Sequence, residues 1–573
     1  MFAALKDGAQ QAFRAAMSEI PGQKAMVVDG SLQVLLEVLS RGGGGKGFFD
    51  DLGIAQIVTL VPHLDVDKLE SSQIVFLVRP QPVHVKTMAD VVLSAPRRHT
   101  FAVVWLPQCI GVCELEMERQ GLAGIVREID IPLFLVPCDE LVWSLCWEEA
   151  FIDLFIHHDT SVVSHVVRSL LHLEQFHGVH LPHRVTAHGP AAQHAKNLLD
   201  SIHGASRSKT PATFQFDQCI LLDRMEDPIS LLVTPLHYEG LLDSVIGIDH
   251  GTILHGIPKK KHVLDDDLFA SIRNVDFQLV TSLLHDMSTS LQVDEAATRS
   301  TTSIDQLRIR AALAAAKTNL SLHVDLAHRV SNCSTDVKDV VSDDVDGVQR
   351  CVHAEQIILS KKLTATTPSS AVSSITGGAD AAFVGTVLEE ALFRDPPLEL
   401  TKLIKLVCLH SLVHGGFKHA TFEWLQTQIC HTYGHRVALP LVANLVELNW
   451  LFPSSSRRSN PPWMKRLRQH DPLIGTSRPL PTTRDISFMF PTTGYAPISV
   501  LQVQDTATRS SSSTPLSGRT KQRVLVYYIG GVTVAEIAAY RWLNQGQDQI
   551  QYVVACTAIS NTARLLRQLV RSP

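Results

Sequence analysis

The sequence predicts an α/β protein with a large all-α middle: open parallel sheets towards both ends and a long helical stretch between them. Three observations carry this. Short apolar runs alternate with helical patterns through the first 140 residues, as strands joined by crossover helices do. From about residue 252 to 490 apolar residues recur almost continuously at helical spacing, the mark of packed helices. After residue 520 a strand, a Gly-Gly turn, a helix and a further strand return.

In the first block, residues 1–140, the runs Ala25–Val28, Ile57–Leu60, Ile74–Val78, Phe101–Leu106 and Leu133–Val136 read as strands. Their unbroken apolar character fits a sheet covered on both faces. Leu32–Leu39, Val83–Leu93 and Val112–Leu122 read as helices between them. The N-terminus places Phe2, Leu5, Ala9, Phe13 and Met17 on one face of an amphipathic helix, without the continuous apolar core of a signal peptide. Gly42-Gly43-Gly44-Gly45-Lys46-Gly47 satisfies GxGxxG, with Asp65 downstream. Yet the glycines follow a helix rather than a strand, and Ser40 and Gly47 spoil a phosphate loop, so a plain glycine loop is expected. Cys109 and Cys113 are expected on opposite sides of a turn. The ten scattered cysteines contain no CxxC pair and fit a reducing setting.

The second block, 141–251, opens with helices over Trp147–Ile156 and Ser161–Phe176. His172, His177, His180, His183, His188 and His194 lack the close pairing of a zinc site and belong to a chain with 27 histidines, so no metal is expected. The stretch around which the chain is organised follows. Cys219–Leu222 is a buried strand, Asp223-Arg224-Met225-Glu226-Asp227-Pro228 a charged turn, and Pro235–Ile246 an amphipathic helix. Acid and base together at a sheet edge predict a structural ion-pair network, since buried charges persist only when paired.

In the third block, 252–490, Asp265–Leu284 reads as one amphipathic helix with Leu268, Ile272, Val275, Leu279 and Leu283 inward. Ile304–Ala316 and Ser321–Val330 continue the pattern, and residues 360–378 form a Thr/Ser/Gly-rich loop. His353-Ala354-Glu355 imitates a deaminase motif without the cysteines that complete it. A helix through Leu400, Leu403, Ile404, Val407 and Leu412 ends at Gly415-Gly416. A second carries Phe422, Leu425, Ile429 and Tyr433 and ends at Gly434. A third opens with Pro440 and carries Leu441, Leu445 and Leu448. In the fourth block, 491–573, a polar linker is expected around 505–523, ahead of the strand before Gly530-Gly531. Those glycines read as a tight strand-to-helix return rather than an anion cradle.

Composition narrows the function. Net charge −6 over 573 residues gives no support for wholesale nucleic-acid binding. No run approaches the ~18 apolar residues of a membrane span, so direct insertion in a membrane is not expected. Neither GxSxG nor HExxH occurs, and no cofactor is called for. The alternative that composition leaves open is a nucleotide-dependent Rossmann-type enzyme.

Seven segments, spread over all four blocks, resemble one family. LLDRMEDPISLLVTPLHYEGLLDSVIGI is similar to the signature of Sec/Munc (SM) proteins, and within them to the vacuolar protein sorting, or Vps thirty-three, branch. AMVVDGSLQVLLEVL, IVFLVRP, VVLSAPRR and LFLVPCDELVWSL follow the first domain of that branch in order. LTKLIKLVCLHSLVHGGFKHATFEWLQTQICHTYGH and RVLVYYIGGVTVAEIAAYRWLNQ resemble its later segments. The resemblance implies an SM-protein arch. Its second sheet is completed from the C-terminus, and its helical domain, inserted in that second domain, comprises parts 3a (roughly 265–345, with a hairpin near Ile304–Asp336) and 3b (roughly 385–490). It implies no enzymatic activity. Instead it implies a chaperone that assembles SNARE helices within HOPS and CORVET tethers, on late endosome and lysosome or vacuole membranes through its partners. SNARE contacts of the Qa and R classes would fall on Phe277, Leu284, Leu307, Leu313, Leu322 and Leu326. A Vps-sixteen-like tether subunit would meet Phe422, Gln426, Tyr433, His435 and Ala438, with His435 and Ala438 departing from the larger residues usual there. The structural signature comprises Asp223, Arg224, Tyr238, Glu239, Gly240, Asp243, Gly530 and Gly531.

Overall fold

The computed structural model describes residues 2–40, 46–95, 99–176, 179–182, 185–205, 214–249, 251–256, 259–298, 304–333, 354–356, 358–359, 387–393, 397–454, 486–490, 495–510, 521–546 and 550–571. The glycine loop at 42–45, His177, His183, His353 and the Thr/Ser/Gly-rich stretch lie outside them.

The first sheet contains β1 (Lys24–Val28), β2 (Ile54–Thr59), β3 (Gln73–Val78), β4 (Thr100–Trp105) and β5 (Val126–Asp130), in the order β2-β1-β3-β4-β5 and parallel throughout. Its central strands are buried because helices cover both faces. Phe2–Ser18 and Gln33–Ser40 pack Phe13, Met17, Leu35 and Leu39 on one side. Pro82–Ser94 and Gly111–Arg119 pack Val85, Met88 and Met117 on the other. β5 was not foreseen as a strand. It is an edge, and only Val126 and Ile129 of its five residues are buried, so it carries no apolar run. Leu133–Val136, expected as a strand, instead leads into β6 (Val136–Pro137) of the second sheet. Cys113 is buried in the first turn of its helix, so the pair Cys109 and Cys113 does not straddle a turn.

The second sheet contains β6, β7 (Val142–Ser144), β9 (Val185–His188), β11 (Gln218–Asp223), β14 (Gln522–Ile529) and β15 (Ile550–Cys556). The pairs β8 (Val179–His180) with β10 (Phe214–Gln215), and β12 (Thr252–His255) with β13 (Lys260–Val263), stand apart. The order β6-β7-β15-β14-β11-β9 places the C-terminal strands in the middle. β14 pairs β11 residue for residue from Gln218↔Val524 to Asp223↔Ile529. Of the linker expected around 505–523, residues 505–510 belong to the helix Ile498–Ser510, which buries Val500, Val503 and Ala507 against the sheet, and Gln522 already opens β14.

The chain between these strands is helical. Leu400–His414, His419–Tyr433 and His435–Glu447 share one core with the terminal helix Thr562–Arg571. Gly415, left-handed at φ +83°, ends the first as expected. The third starts at His435 rather than Pro440, which lies inside it. A long pair of helices, Phe277–Thr298 and Ile304–Cys333, packs Val280 and Leu284 against Leu320, Leu326 and Val330. The two helices form a hairpin whose first arm lies ahead of the stretch Ile304–Asp336, where a hairpin was expected; residues 334–336 lie outside the described ones. The expected helix Asp265–Leu284 breaks into Asp267–Ile272 and Phe277–Thr298. The break resets the helical phase. Val280 and Leu284 turn inward, while Leu279 and Leu283, expected inside, are 58% and 38% exposed.

Candidate functional site

At the end of β11 the charged turn closes on itself. Arg224, 1% exposed, donates to Glu536 at 2.6 Å and to the Asp227 carbonyl oxygen. Asp227 accepts from Ser230 N, Ser230 Oγ, Tyr495 OH and Ser499 N at 2.6–3.1 Å. Asp223 caps two chain turns by accepting from Ala191 N and Met225 N. Thr533 and Glu536 form a reciprocal capping box at the start of Val534–Asn544. Burial opposes the charge on Arg224, but Glu536 and Asp227 beside it raise its pKa further. These carboxylates are saturated with protein donors, the arrangement of a structural network rather than an acid/base pair. The Gly530-Gly531 turn between β14 and that helix is filled by protein. A Cβ on Gly530 would lie 2.7 Å from Phe155 and 2.9 Å from the Arg224 Cβ, and one on Gly531 2.7 Å from Ser560 Oγ. The turn leaves no cradle for an anion and serves close packing.

The helix of the signature runs Tyr238–Val245, three residues shorter at its start than expected, so Pro235 precedes it. Gly240 admits that turn: a Cβ there would lie 2.5 Å from Pro235 and 2.7 Å from His237. Tyr238 N, Glu239 N and Phe277 N donate to Val275, Arg273 and Leu236 carbonyls at 2.9–3.0 Å, stitching the signature to the break ahead of the hairpin. The Tyr238 hydroxyl meets His323 Nδ1 at 2.9 Å, and His323 Nε2 meets Asp266 at 3.0 Å. Glu239 takes a two-pronged contact from Arg273 at 2.6 and 3.1 Å and a third from Arg541 at 2.5 Å. Asp139 closes the ring, 3.1 Å from Arg273 and bonded to Arg541. Burial alone would raise both carboxyls. The two guanidinium groups override it, keeping Glu239 below its usual range and Asp139 at about 2. Asp243 accepts from Ile248 N and Asn561 at 3.0 and 2.9 Å.

His237, 5% exposed, lies beside this ring, with neither ring nitrogen hydrogen-bonded among the described residues. Burial pushes its pKa down to about 4; Glu239 and Asp276 oppose the shift, while Arg541 and Arg273 reinforce it. The unfolded chain therefore binds a proton that the folded one refuses between about pH 6.5 and 4. Stability is fully present above 6.5 and falls as pH drops through that window, by up to about 3 kcal/mol. Urea unfolding at pH 7 and pH 5 should show this loss, and His237→Leu should flatten it; an unchanged slope in that variant refutes the assignment.

The structure separates the residues expected at the SNARE groove. Leu284 and Leu326, 4% and 0% exposed, are core residues of the hairpin root, which corrects their assignment to a binding face. Phe277 is half-buried and stacks on Tyr238 with centroids 6.4 Å apart. Leu313 and Leu322 are half-buried, and the Leu307 side chain lies outside the described ones. Instead, Leu279, Leu283, Met287 and Val293 form an exposed apolar row on the first arm, with Val324 exposed on the second. The sequence reading put Leu279 and Leu283 on the inward face and did not single out Met287 or Val293; the phase had to be taken from the break at 273–276.

At the expected tether face, Ala438 is 0% exposed and packs inside the helical core, so its side chain is likewise corrected to packing. Phe422, Gln426 and Tyr433 are half-buried, and the Tyr433 hydroxyl donates to the Leu398 carbonyl. His435 is exposed. So are Val437 and Leu439 beside it, which the sequence reading did not single out.

Among the described residues, no three His, Cys, Asp or Glu side chains converge as metal ligands, and no helix is long and apolar enough to cross a membrane.

Comparison with known proteins places this geometry. Vacuolar protein sorting-associated protein 33A of Rattus norvegicus is 25% identical over 639 residues, covering 99% of this chain and 98% of its own length. The structure of the Unc18–syntaxin 1 complex from Monosiga brevicollis aligns over 99% of both chains with a TM-score of 0.62 at 15% identity. SM protein Vps45 in complex with the Qa SNARE Tlg2 aligns over 99% of this chain and 98% of its own, with a TM-score of 0.60 at 13% identity. The fold, two α/β sheets that are parallel except for the β6–β7 pair at the edge of the second, with a helical region between strands of the second, is that of SM proteins. The Sec1 family model spans residues 48–568, from the first sheet through the signature junction to the terminal helix, and this chain belongs to the Sec1 family.

Proposed function

We propose that this protein is an SM-type chaperone of SNARE assembly. It acts as a subunit of a HOPS- or CORVET-like tether and promotes vesicle docking and fusion between endosomes and the lysosome or vacuole. The observation that carries the reading is the row Leu279, Leu283, Met287 and Val293, left open on a long hairpin rooted in the fold. An apolar row on a helix is what a partner helix packs against, and SNARE motifs are helical partners that order on assembly. Holding two such segments in register removes part of the ordering entropy that otherwise opposes nucleation. The solved relatives captured with syntaxin 1 and with a Qa SNARE, and the relative named for vacuolar protein sorting, support it. In this reading residues 1–140 form domain 1. Residues 141–251 with 491–573 form domain 2, and 252–490 form domain 3. The exposed His435, Val437 and Leu439 face a Vps-sixteen-like subunit, and through it the protein is held at the membrane periphery.

The test is binding of the purified full chain to Qa- and R-SNARE motifs and to the C-terminal domain of a Vps-sixteen-like subunit. Binding to both classes is expected. A folded chain that binds neither refutes the reading.

A further inference from the structure

The two hairpin arms are held by two neighbouring residues of one short helix. Tyr238 reaches the second arm through His323, which Asp266 orients from its other nitrogen. Glu239 holds Arg273, in the break ahead of the first arm, and the same carboxylate is held in turn by Arg541. Arg541 belongs to the helix Val534–Asn544, packed on the second sheet, and also bonds Asp139 at the exit from the first block. The ring Glu239–Arg273–Asp139–Arg541 is thus closed and mostly buried, its side chains between 10% and 22% exposed. Its four members come from four separate chain segments, which the ring joins at one point. Packing of Val280, Leu284 and Leu326 fixes how the arms touch each other. The ring fixes how the pair stands on the sheets, because fork-like guanidinium–carboxylate contacts impose direction where apolar packing does not.

We infer that Glu239 and Arg541 are positioning residues. They touch no partner, yet they set the angle at which the exposed row on Phe277–Thr298 is presented, and so set the grip on a SNARE helix. This rests on the hairpin reading above. A closed ring with each carboxylate shared between two guanidinium groups has one low-energy arrangement. Cutting one bond leaves the root tied by backbone hydrogen bonds at Val275 and Arg273, free to pivot rather than unfold.

The experiment uses the full chain with spin labels at positions 293, on the exposed row, and 200, exposed on the helix Pro190–Ala205. Glu239→Gln keeps shape and removes charge. Arg541→Lys keeps charge and removes the fork. Both should broaden the 293–200 distance distribution, Glu239→Gln more, and weaken binding of a Qa-SNARE motif roughly 2- to 30-fold. The double variant should lose less than the sum of the two single losses, since both substitutions cut the shared Glu239–Arg541 contact. An unchanged distribution in a folded Glu239→Gln variant overturns the positioning role. Broadening with unchanged SNARE affinity overturns instead the hairpin reading on which it rests.

Discussion

Arg224→Met is expected to destabilise the protein by about 3–5 kcal/mol, as removal of one partner from a buried ion pair does. The side chain is 1% exposed, and its guanidinium lies 5.7 Å from the Tyr528 ring centre as well as on Glu536. Methionine fills much of the space but supplies no charge. Glu536 would keep its donors from Thr533 and Ser499, so its hydrogen bonds survive while its charge stays buried without a counter-ion. Urea unfolding followed by tryptophan fluorescence measures the loss. The double variant Arg224→Met with Glu536→Gln should recover part of it, because Glu536 then carries no charge and only Asp227, held by four donors, keeps one without a counter-ion. A loss below about 1 kcal/mol in the single variant would show that solvent reaches the corner and that the pair is dispensable.

The opposite signature is expected on the hairpin. Leu283→Asp combined with Met287→Asp should weaken binding of a SNARE motif by roughly 30-fold or more, the scale of a central contact in a helix-binding face. Stability should move by no more than about 0.5 kcal/mol per site, since both side chains already meet solvent; they are 38% and 37% exposed. Leu284→Asp, one residue away but buried at 4%, should do the reverse and damage the root of the hairpin. Calorimetry for binding and urea unfolding for stability separate the two. Unaltered SNARE affinity in the double variant would remove the exposed row from the binding face.

The strands that proved easiest to read were those buried on both faces. β1, β3, β4, β11 and β14 are nearly continuous apolar runs because helices cover them from both sides. β5 escaped, as an edge strand with water on one side must mix polar with apolar residues. The candidate site was legible as a motif and illegible as a surface. The signature residues Arg224, Tyr238 and Glu239 stand together in sequence, but their partners Glu536, His323 and Arg541 lie far along the chain. Leu284, Leu326 and Ala438 met the pattern of a contact residue and are core. An apolar stripe has the same spacing whether it faces a partner or the interior.

By itself, the sequence determined which segments are strands and helices over most of the chain, because periodicity and turn chemistry are local, and its motif segments carried the resemblance to the family. Only the tertiary structure put the C-terminal strands in the middle of the second sheet and decided which side of the hairpin stays open. Only there does Glu239 become a bridge between two arginines. The physical reason is that these depend on helical phase after a break and on partners hundreds of residues apart. Neither leaves a mark on the pattern of any one segment.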